Sequence, residues 1–248
     1  MEKNQLYLAL NAGQQNTEVL DSTPALEIAS VYGTSIPDLP MLPTTLIHLK
    51  SLLSCDVVDL AALTNVVRGD LGLTISLLRI ARNAGWTSKA VPRLSEIIVG
   101  LGIKPLKAIV GGIPVLSAQI CSGPGIRACT RFWMHAQLTG LVSEELASFS
   151  PGLNPEDAYL AGLVSQIGKL PVLLGWRIPE LESGDAVNFG SSLARAWGLP
   201  GLLTEVIEGD LRPTSIAAQS YRQIVTAARE WVQLLELVTD SDLERVSG

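Results

Sequence analysis

The stretch of residues 154–170 reads NPEDAYLAGLVSQIGKL and contains the clearest helix start in the sequence. Its first residue, Asn154, has a side chain that caps helices well, and Pro155 suits the first helical position because its φ is already helical. The acids Glu156 and Asp157 follow in the first turn, where negative charge stabilises the positive end of the helix dipole. The stretch therefore predicts a helix that begins at residue 155.

Helical signals repeat on both sides of this stretch, and no segment has the alternating pattern of a strand. Asp59 and Asp70 are predicted to cap two early helices. Apart from the helix that begins at residue 155, the predicted helices comprise residues 44–54, 59–67, 70–81, 94–101, 104–120, 127–149, 188–197, 202–208 and 214–238. Before them, prolines at positions 37, 40 and 43 predict an extended segment, because proline fixes φ and lacks an N–H donor. We therefore expect an all-α fold.

The composition favours a folded protein with one large domain or two helical lobes. Of the 248 residues, 47% are hydrophobic and 17% are charged, so the chain can bury a substantial core. No apolar run reaches the roughly 20 residues that a membrane-spanning helix requires. The first residues, Met1–Gln5, lack the basic and apolar regions of a signal peptide. We therefore expect a cytoplasmic protein that does not associate with a membrane.

Charge and cysteine content disfavour several kinds of site. The net charge is −6 and no basic run is available to neutralise phosphates, which disfavours direct nucleic-acid binding; a local patch at Lys104 and Lys107 remains open. The three cysteines, Cys55, Cys121 and Cys129, are an odd number without CxxC spacing. We therefore expect buried, reduced cysteines, and neither a zinc site nor a disulfide framework.

Six short motifs in a fixed order resemble the HDOD family. The first is LPMLP at residues 39–43, and the second combines VVRGDLGL (66–73) with LLRIARNA (77–84). The others are VPRLSEIIVGLG (91–102), FWMH (132–135), AGLVSQIGKL (161–170) and LARAWGLP (193–200). Two positions depart from the family pattern: Leu71 replaces the proline that usually follows Asp70, and Arg82-Asn83 replaces Asn-Ser. Each motif is weak alone, but their order over residues 36–210 carries the resemblance.

The resemblance implies a two-lobed helical fold. Its N-terminal helical bundle would comprise about residues 37–122, and its HD-like C-terminal lobe about residues 126–240. Residues 1–36 are then a lead-in segment, in which residues 24–32 favour a short helix, and residues 241–248 form a polar tail.

The HDOD family that this chain resembles is related to the wider HD superfamily. That superfamily includes metal-dependent phosphohydrolases, in which histidines and aspartates hold a metal that activates water. This chain has two histidines, and only His135 stands at a ligand position of the superfamily. Ser165 and Gln166 replace the His-Asp pair, and residues 208–210 (Glu-Gly-Asp) replace a second His pair that many relatives have. A hydroxyl and an amide are poor substitutes for an imidazole and a carboxylate as metal ligands. We therefore predict no catalytic residue, no metal and no cofactor.

Other interpretations of the same residues stay open. No GxGxxG, P-loop or GxSxG motif supports another enzyme class. Ser165 and His135 could be neighbours, but no orienting acid is evident, so we favour structural roles over a Ser–His nucleophile. The predicted vestigial cleft consists of His135, Ser165, Gln166 and Lys169, and it would hold a small ligand or anion. The simpler account of Lys169 is that it extends into solvent beside Gly168, which permits close helix packing.

Three hypotheses of function follow. The leading one, implied by the resemblance, is a non-enzymatic bacterial signal-transduction module that acts by binding a regulatory or signalling protein in trans. The alternative is a sensor that binds a nucleotide or another small anion in the vestigial cleft. The third is a residual metal-dependent phosphohydrolase. The sequence does not identify the partner, the oligomeric state or the role of residues 1–36.

Overall fold

The computed structural model describes residues 37–85, 91–117, 125–176, 189–207 and 215–246. The regular structure in these residues is α-helical, with one short 3₁₀ turn, Ile167–Lys169. The helices are α1 (Pro43–Ser54), α2 (Leu60–Arg68), α3 (Leu71–Asn83), α4 (Leu94–Leu101), α5 (Ile103–Gly112), α6 (Gly125–Ser148), α7 (Pro155–Val164), α8 (Leu170–Leu174), α9 (Phe189–Trp197), α10 (Gly201–Val206) and α11 (Ile216–Val246). Extended pairing in the described residues is limited to an isolated parallel bridge between Met41 and Val115. The all-α prediction is confirmed.

The buried carboxylate of Asp70 connects α1 and α3 in the first half of the chain. Its Oδ2 accepts hydrogen bonds from the Leu42 backbone N–H at 2.7 Å and from the Thr45 hydroxyl at 2.9 Å. Its Oδ1 accepts from the Leu73 N–H at 2.9 Å. Asp70 therefore caps α3, as the sequence predicts, and also binds the start of α1. Burial raises the pKa of Asp70, and the hydrogen bonds oppose that shift.

Helix α3 lies at the centre of the N-terminal lobe, because every residue from Leu71 to Arg79 is buried. The proline-rich segment lies directly on its first turn, where a Cβ at Gly72 would lie 2.3 Å from the Pro40 carbonyl oxygen. No side chain fits at that position without displacing the segment. At the far end of the same run, Arg79 forms an ion pair with Asp38, so the segment is fixed at both ends of the buried run.

The second half is organised by a close crossing of α6 and α7. A Cβ at Gly162 would lie 2.6 Å from Ser143 Oγ and 2.9 Å from Gly140 Cα, so the two helix backbones are nearly in contact. Helix α11 packs against both helices. The hydroxyl of its Tyr221 accepts a hydrogen bond from the Asn154 N–H at 2.8 Å. Asn154 in turn caps α7 by accepting from the Glu156 N–H at 2.9 Å, which confirms the predicted helix start.

The two lobes meet at Arg68, near the end of α2. Its guanidinium forms an ion pair with Glu144 at 2.6 Å and lies 4.1 Å from the centre of the Tyr159 ring. The Tyr159 hydroxyl donates to the Arg68 carbonyl at 2.5 Å. Burial raises the pKa of Tyr159 to about 12, so this hydroxyl stays protonated and remains a donor. The junction therefore combines an ion pair, a cation–π contact and a hydrogen bond at one residue.

Two helix predictions need correction at their C-terminal ends. The helix predicted for residues 104–120 ends at Gly112. The next residues run extended, since Met41 donates to the Pro114 carbonyl at 2.8 Å and the Leu116 N–H donates to the Met41 carbonyl at 2.8 Å. The terminal helix predicted for residues 214–238 continues to Val246, so the predicted polar tail is helical through that residue.

The cysteine prediction also needs correction. Cys129 is buried, but Cys55 is exposed because it lies just beyond the last turn of α1. Cys121 and the lead-in residues 1–36, with their predicted short helix, lie outside the described residues. In the part of the chain that the structure describes, no helix is both long and apolar enough to cross a membrane.

Candidate functional site

Three elements bring predicted site residues together at the C-terminal end of α7. His135 belongs to α6, Gln166 follows α7, and Lys169 ends the 3₁₀ turn. The turn also packs against α9, where a Cβ at Gly168 would lie 3.1 Å from Gly190 Cα. Gly168 therefore permits the close packing that the sequence suggested for it.

The three side chains form a continuous hydrogen-bonded chain. Gln166 Nε2 lies 3.2 Å from His135 Nε2, and Lys169 Nζ donates to Gln166 Oε1 at 2.6 Å. Gln166 is 7% exposed and lies in the middle of the chain, whereas Lys169 is exposed at its outer end. The most buried member of the series is therefore Gln166, which lies between a half-buried His135 and an exposed Lys169.

The direction of these bonds assigns the ring tautomer of His135. An ammonium group can only donate, so the Gln166 amide must present its oxygen to Lys169. The amide NH₂ then faces His135 and donates to its Nε2. A neutral ring that accepts at Nε2 carries its proton on Nδ1. The lone pair on Nε2 is therefore engaged by Gln166.

Ser165 takes no part in this chain. Its hydroxyl donates to the Gly162 carbonyl at 2.8 Å, within the last turn of α7, and the residue is 1% exposed. A serine that gives its proton to a helix carbonyl is not arranged as a nucleophile activated by histidine. Of the four predicted cleft residues, the structure brings His135, Gln166 and Lys169 together, and Ser165 serves to end the helix.

The donor set at this site does not fit a catalytic metal ion. No cluster of three or more histidine, cysteine, aspartate or glutamate side chains occurs among the residues that the structure describes. At the position of the superfamily's His-Asp pair, the side chains are a hydroxyl bonded to its own helix and a neutral amide bonded to His135. The Glu-Gly-Asp sequence at 208–210 lies outside the described residues.

Sequence reasoning missed one residue that shapes the site, Gly190 in α9. A Cβ there would lie 2.7 Å from Ile207 Cγ2 and 3.2 Å from the Gly168 backbone nitrogen. Gly190 therefore lets α9 fit between the 3₁₀ turn and Ile207. The contact partners are distant in sequence, and no local pattern around residue 190 indicates them.

Comparisons with known proteins agree with this architecture. A sequence model described as the HDOD domain matches residues 39–177. A structure of the MmoQ response regulator from Methylococcus capsulatus strain Bath is 17% identical, with a TM-score of 0.60 over 79% of this chain and 86% of that chain. A fragment of the same regulator is 18% identical, with a TM-score of 0.59 over 79% of this chain and 84% of the fragment.

A third structure is an HDOD domain protein with unknown function from Geobacter sulfurreducens. It is 18% identical, with a TM-score of 0.38 over 85% of this chain and 77% of that chain. The likeness in fold rests on the two MmoQ structures. No protein with a curated description matches the sequence.

Proposed function

The chain belongs to the HDOD domain family, and we propose that it is a non-enzymatic bacterial regulatory module that acts by binding a signalling protein in trans. The observation that carries the proposal is the hydrogen-bonded chain of His135, Gln166 and Lys169. The description of a similarly folded protein as a response regulator supports a role in signalling.

The hydrogen bonds among His135, Gln166 and Lys169 argue against metal-dependent hydrolysis. A metal-dependent phosphohydrolase needs several nitrogen and oxygen ligands with free lone pairs around the ion. Here Gln166 donates to the Nε2 atom of His135, and Lys169 places a positive charge on the other side of the same amide. A divalent cation at Nε2 of His135 would have to displace the Gln166 amide, close to an ammonium group.

Metal binding is the first test of the proposal. We expect the purified protein, after incubation with manganese or magnesium and dialysis, to retain far less than one equivalent of metal by elemental analysis. It should also fail to hydrolyse a generic phosphodiester such as bis(p-nitrophenyl) phosphate. Stoichiometric metal that is lost in His135→Ala, together with hydrolysis, would restore the phosphohydrolase hypothesis.

Partner binding is the second test. The tagged chain is cross-linked in its native cells, and recovered proteins are quantified against an unrelated helical bait of similar net charge. We expect a small set of signalling proteins that are enriched over the control and that bind the purified chain directly. Recovery of the same proteins with both baits would count against a role in partner binding.

Lys169, at the exposed end of this hydrogen-bonded series, supports a second candidate function, a sensor for a small anion. Lys169 is exposed and cationic, and its side chain is held by a buried amide. On this candidate, a nucleotide raises the melting temperature in a concentration-dependent way. Lys169→Ala abolishes the shift, and Lys104→Ala, at another exposed lysine, leaves it intact. No shift with any nucleotide tried would favour the partner-binding proposal.

A further inference from the structure

Helix α6 has a buried face and, opposite to it, an exposed face with an unusual composition. The buried face consists of Cys129, Phe132, Trp133, Ala136, Thr139, Gly140, Ser143 and Ala147. The residues halfway round the helix from these are Arg127, Arg131, Met134, Leu138, Leu141 and Glu145, and all six are exposed. They follow one another at intervals of three or four residues, which places them in one stripe along the helix. We call this set the α6 stripe.

The middle of the α6 stripe is apolar. Met134 is 55% exposed, Leu138 is 40% exposed and Leu141 is 46% exposed. On a surface helix, the face opposite to the core normally carries polar residues. Three large apolar side chains at consecutive positions of that face form the heptad-like spacing by which two helices pack together.

The two ends of the α6 stripe carry opposite charges. Arg131 lies two turns before Leu138, and Arg127 lies one turn further towards the N-terminus. Glu145 lies two turns after Leu138, at the other end. The neighbouring acid, Glu144, is engaged with Arg68 at the lobe junction and does not belong to the stripe. From its N-terminal to its C-terminal end, the stripe is therefore basic, then apolar, then acidic. The spacing of its residues is nearly symmetric about Leu138.

We propose that the α6 stripe is a self-association surface, on which two copies of the chain pair their α6 helices antiparallel about a two-fold axis near Leu138. In this arrangement the Arg127 and Arg131 end of one copy lies beside Glu145 of the other, at both ends of the pair. The apolar residues meet in the middle, and the helix dipoles run in opposite directions. The surface is complementary to itself, as a two-fold interface requires.

Charge complementarity selects this occupant and this orientation. A parallel pair of the same helices would place like charges together at each end, which opposes association. Three apolar side chains per copy are few for a permanent dimer, so the expected dimer is weak and depends on concentration. This inference concerns a surface on the opposite face of α6 from the core and is independent of the proposed function.

The apolar centre is tested by sedimentation equilibrium of the full chain from about 1 to about 500 µM. We expect the wild-type protein to form dimers in this range and Leu138→Glu to weaken them on the order of tenfold or more. Val99→Glu, at a residue of α4 that is 63% exposed, is the matched control and should dimerise as the wild type does. Circular dichroism melting shows that each variant remains folded.

Several outcomes of this experiment would overturn the proposal. One is a wild-type protein that stays monomeric over the whole range, and another is a dimer that Leu138→Glu leaves intact. A second exposed apolar residue, Trp231 of α11, is 61% exposed and provides a further check. A dimer that is lost in Trp231→Glu but not in Leu138→Glu would assign the interface to α11.

The antiparallel orientation is tested by exchanging the charged ends. Arg127→Glu with Arg131→Glu gives a stripe that is acidic at both ends, and Glu145→Arg gives one that is basic at both ends. We expect each to weaken dimers on the order of tenfold in low salt, and the chain that carries all three substitutions to recover dimers. Recovery requires opposite ends to face each other. If the triple variant dimerises no better than its parents, the antiparallel arrangement is wrong.

Discussion

Asp70 in the first lobe and Gln166 in the second are both buried polar residues next to a helix end, but their partners differ in kind. Asp70 accepts from two backbone N–H groups and one hydroxyl, Leu42, Leu73 and Thr45. Among the described residues, the side-chain amide of Gln166 bonds to the side chains of His135 and Lys169. The backbone thus fixes Asp70 in place, whereas Gln166 is held by groups that can rotate.

The difference separates a structural polar residue from a residue available for function. Loss of Asp70 would leave buried backbone donors without acceptors, and those donors cannot turn to water. Loss of the Gln166 side chain would leave the exposed Lys169 and the partly exposed His135, and both of these side chains can rearrange. Stability measurements should therefore respond strongly to the first site and weakly to the second.

The largest effect is expected for Asp70→Ala. It removes the cap of α3 and the acceptor at the start of α1, and we expect the free energy of unfolding to fall by about 3 kcal/mol or more. Urea denaturation followed by circular dichroism measures the change. Asp59→Ala is the matched control, because Asp59 caps α2 at an exposed site by accepting from Ala61 and Ala62, so it should cost about 1 kcal/mol. Equal losses for the two variants would contradict the assignment of Asp70 as a hub between helices.

The next largest effect is expected for Gly162→Ala, at the crossing that holds His135 near Gln166. The added methyl would lie 2.7 Å from the Thr139 carbonyl oxygen, so α6 and α7 must separate. We expect a loss of about 2 kcal/mol in the free energy of unfolding. Gly201→Ala, where an added Cβ meets nothing within 4 Å, should be nearly neutral. If Gly162→Ala were equally neutral, the backbones of α6 and α7 would not be as close as the structure places them.

The sequence predicts local features of this fold well. Asp59, Asp70 and Asn154 are recognisable as caps in the sequence because a cap and its N–H partners lie within three residues of each other. The second function of Asp70, at the start of α1, was not predicted because Leu42 and Thr45 are distant in sequence. The end of α5 also depends on a distant partner, since residues 113–116 leave the helix to pair with Met41.

The candidate site was predicted in part. The family pattern identified His135 and the Ser165-Gln166 pair, but the pattern does not tell which of two adjacent side chains faces the histidine. That depends on where α7 ends: Ser165 bonds to its own helix, while Gln166 immediately precedes the 3₁₀ turn. The contribution of Gly190 depends on packing between distant segments, which no local pattern encodes.

A smaller effect, on pH dependence, is expected at Asp157 in the first turn of α7. Burial raises the pKa of Asp157 above its ordinary value of 3.8; the charge of Glu156 adds to the shift, and Arg93 and Tyr221 oppose it. The folded protein therefore holds this proton more tightly than the unfolded chain does. The resulting stabilisation is fully present below the unfolded pKa and is lost as the pH rises through the folded pKa.

Comparison with Asp157→Asn isolates this contribution. We expect the free energy of unfolding of the wild type, relative to the variant, to decrease as the pH rises from about 3 to about 6. Urea denaturation at several pH values measures it. A difference that increased with pH would mean that Arg93 and Tyr221 outweigh burial at this acid. Asp157 is less buried than Asp70, so it tests whether burial also dominates the pKa of a half-buried carboxyl group in this fold.

The smallest effect on stability is expected for Lys169→Ala, which removes the outer end of the chain of side chains. Lys169 is exposed, so its loss should change the free energy of unfolding by no more than about 0.5 kcal/mol. The substitution should, however, change the tautomer of His135, because Lys169 sets the orientation of the Gln166 amide. We expect the nitrogen NMR shifts of His135 to report a proton on Nδ1 in the wild type and a mixture of tautomers in the variant. The Lys104→Ala variant should keep the wild-type shifts. A Lys169→Ala protein that lost several kcal/mol, or that kept a pure Nδ1–H tautomer, would remove the distinction between the two polar sites.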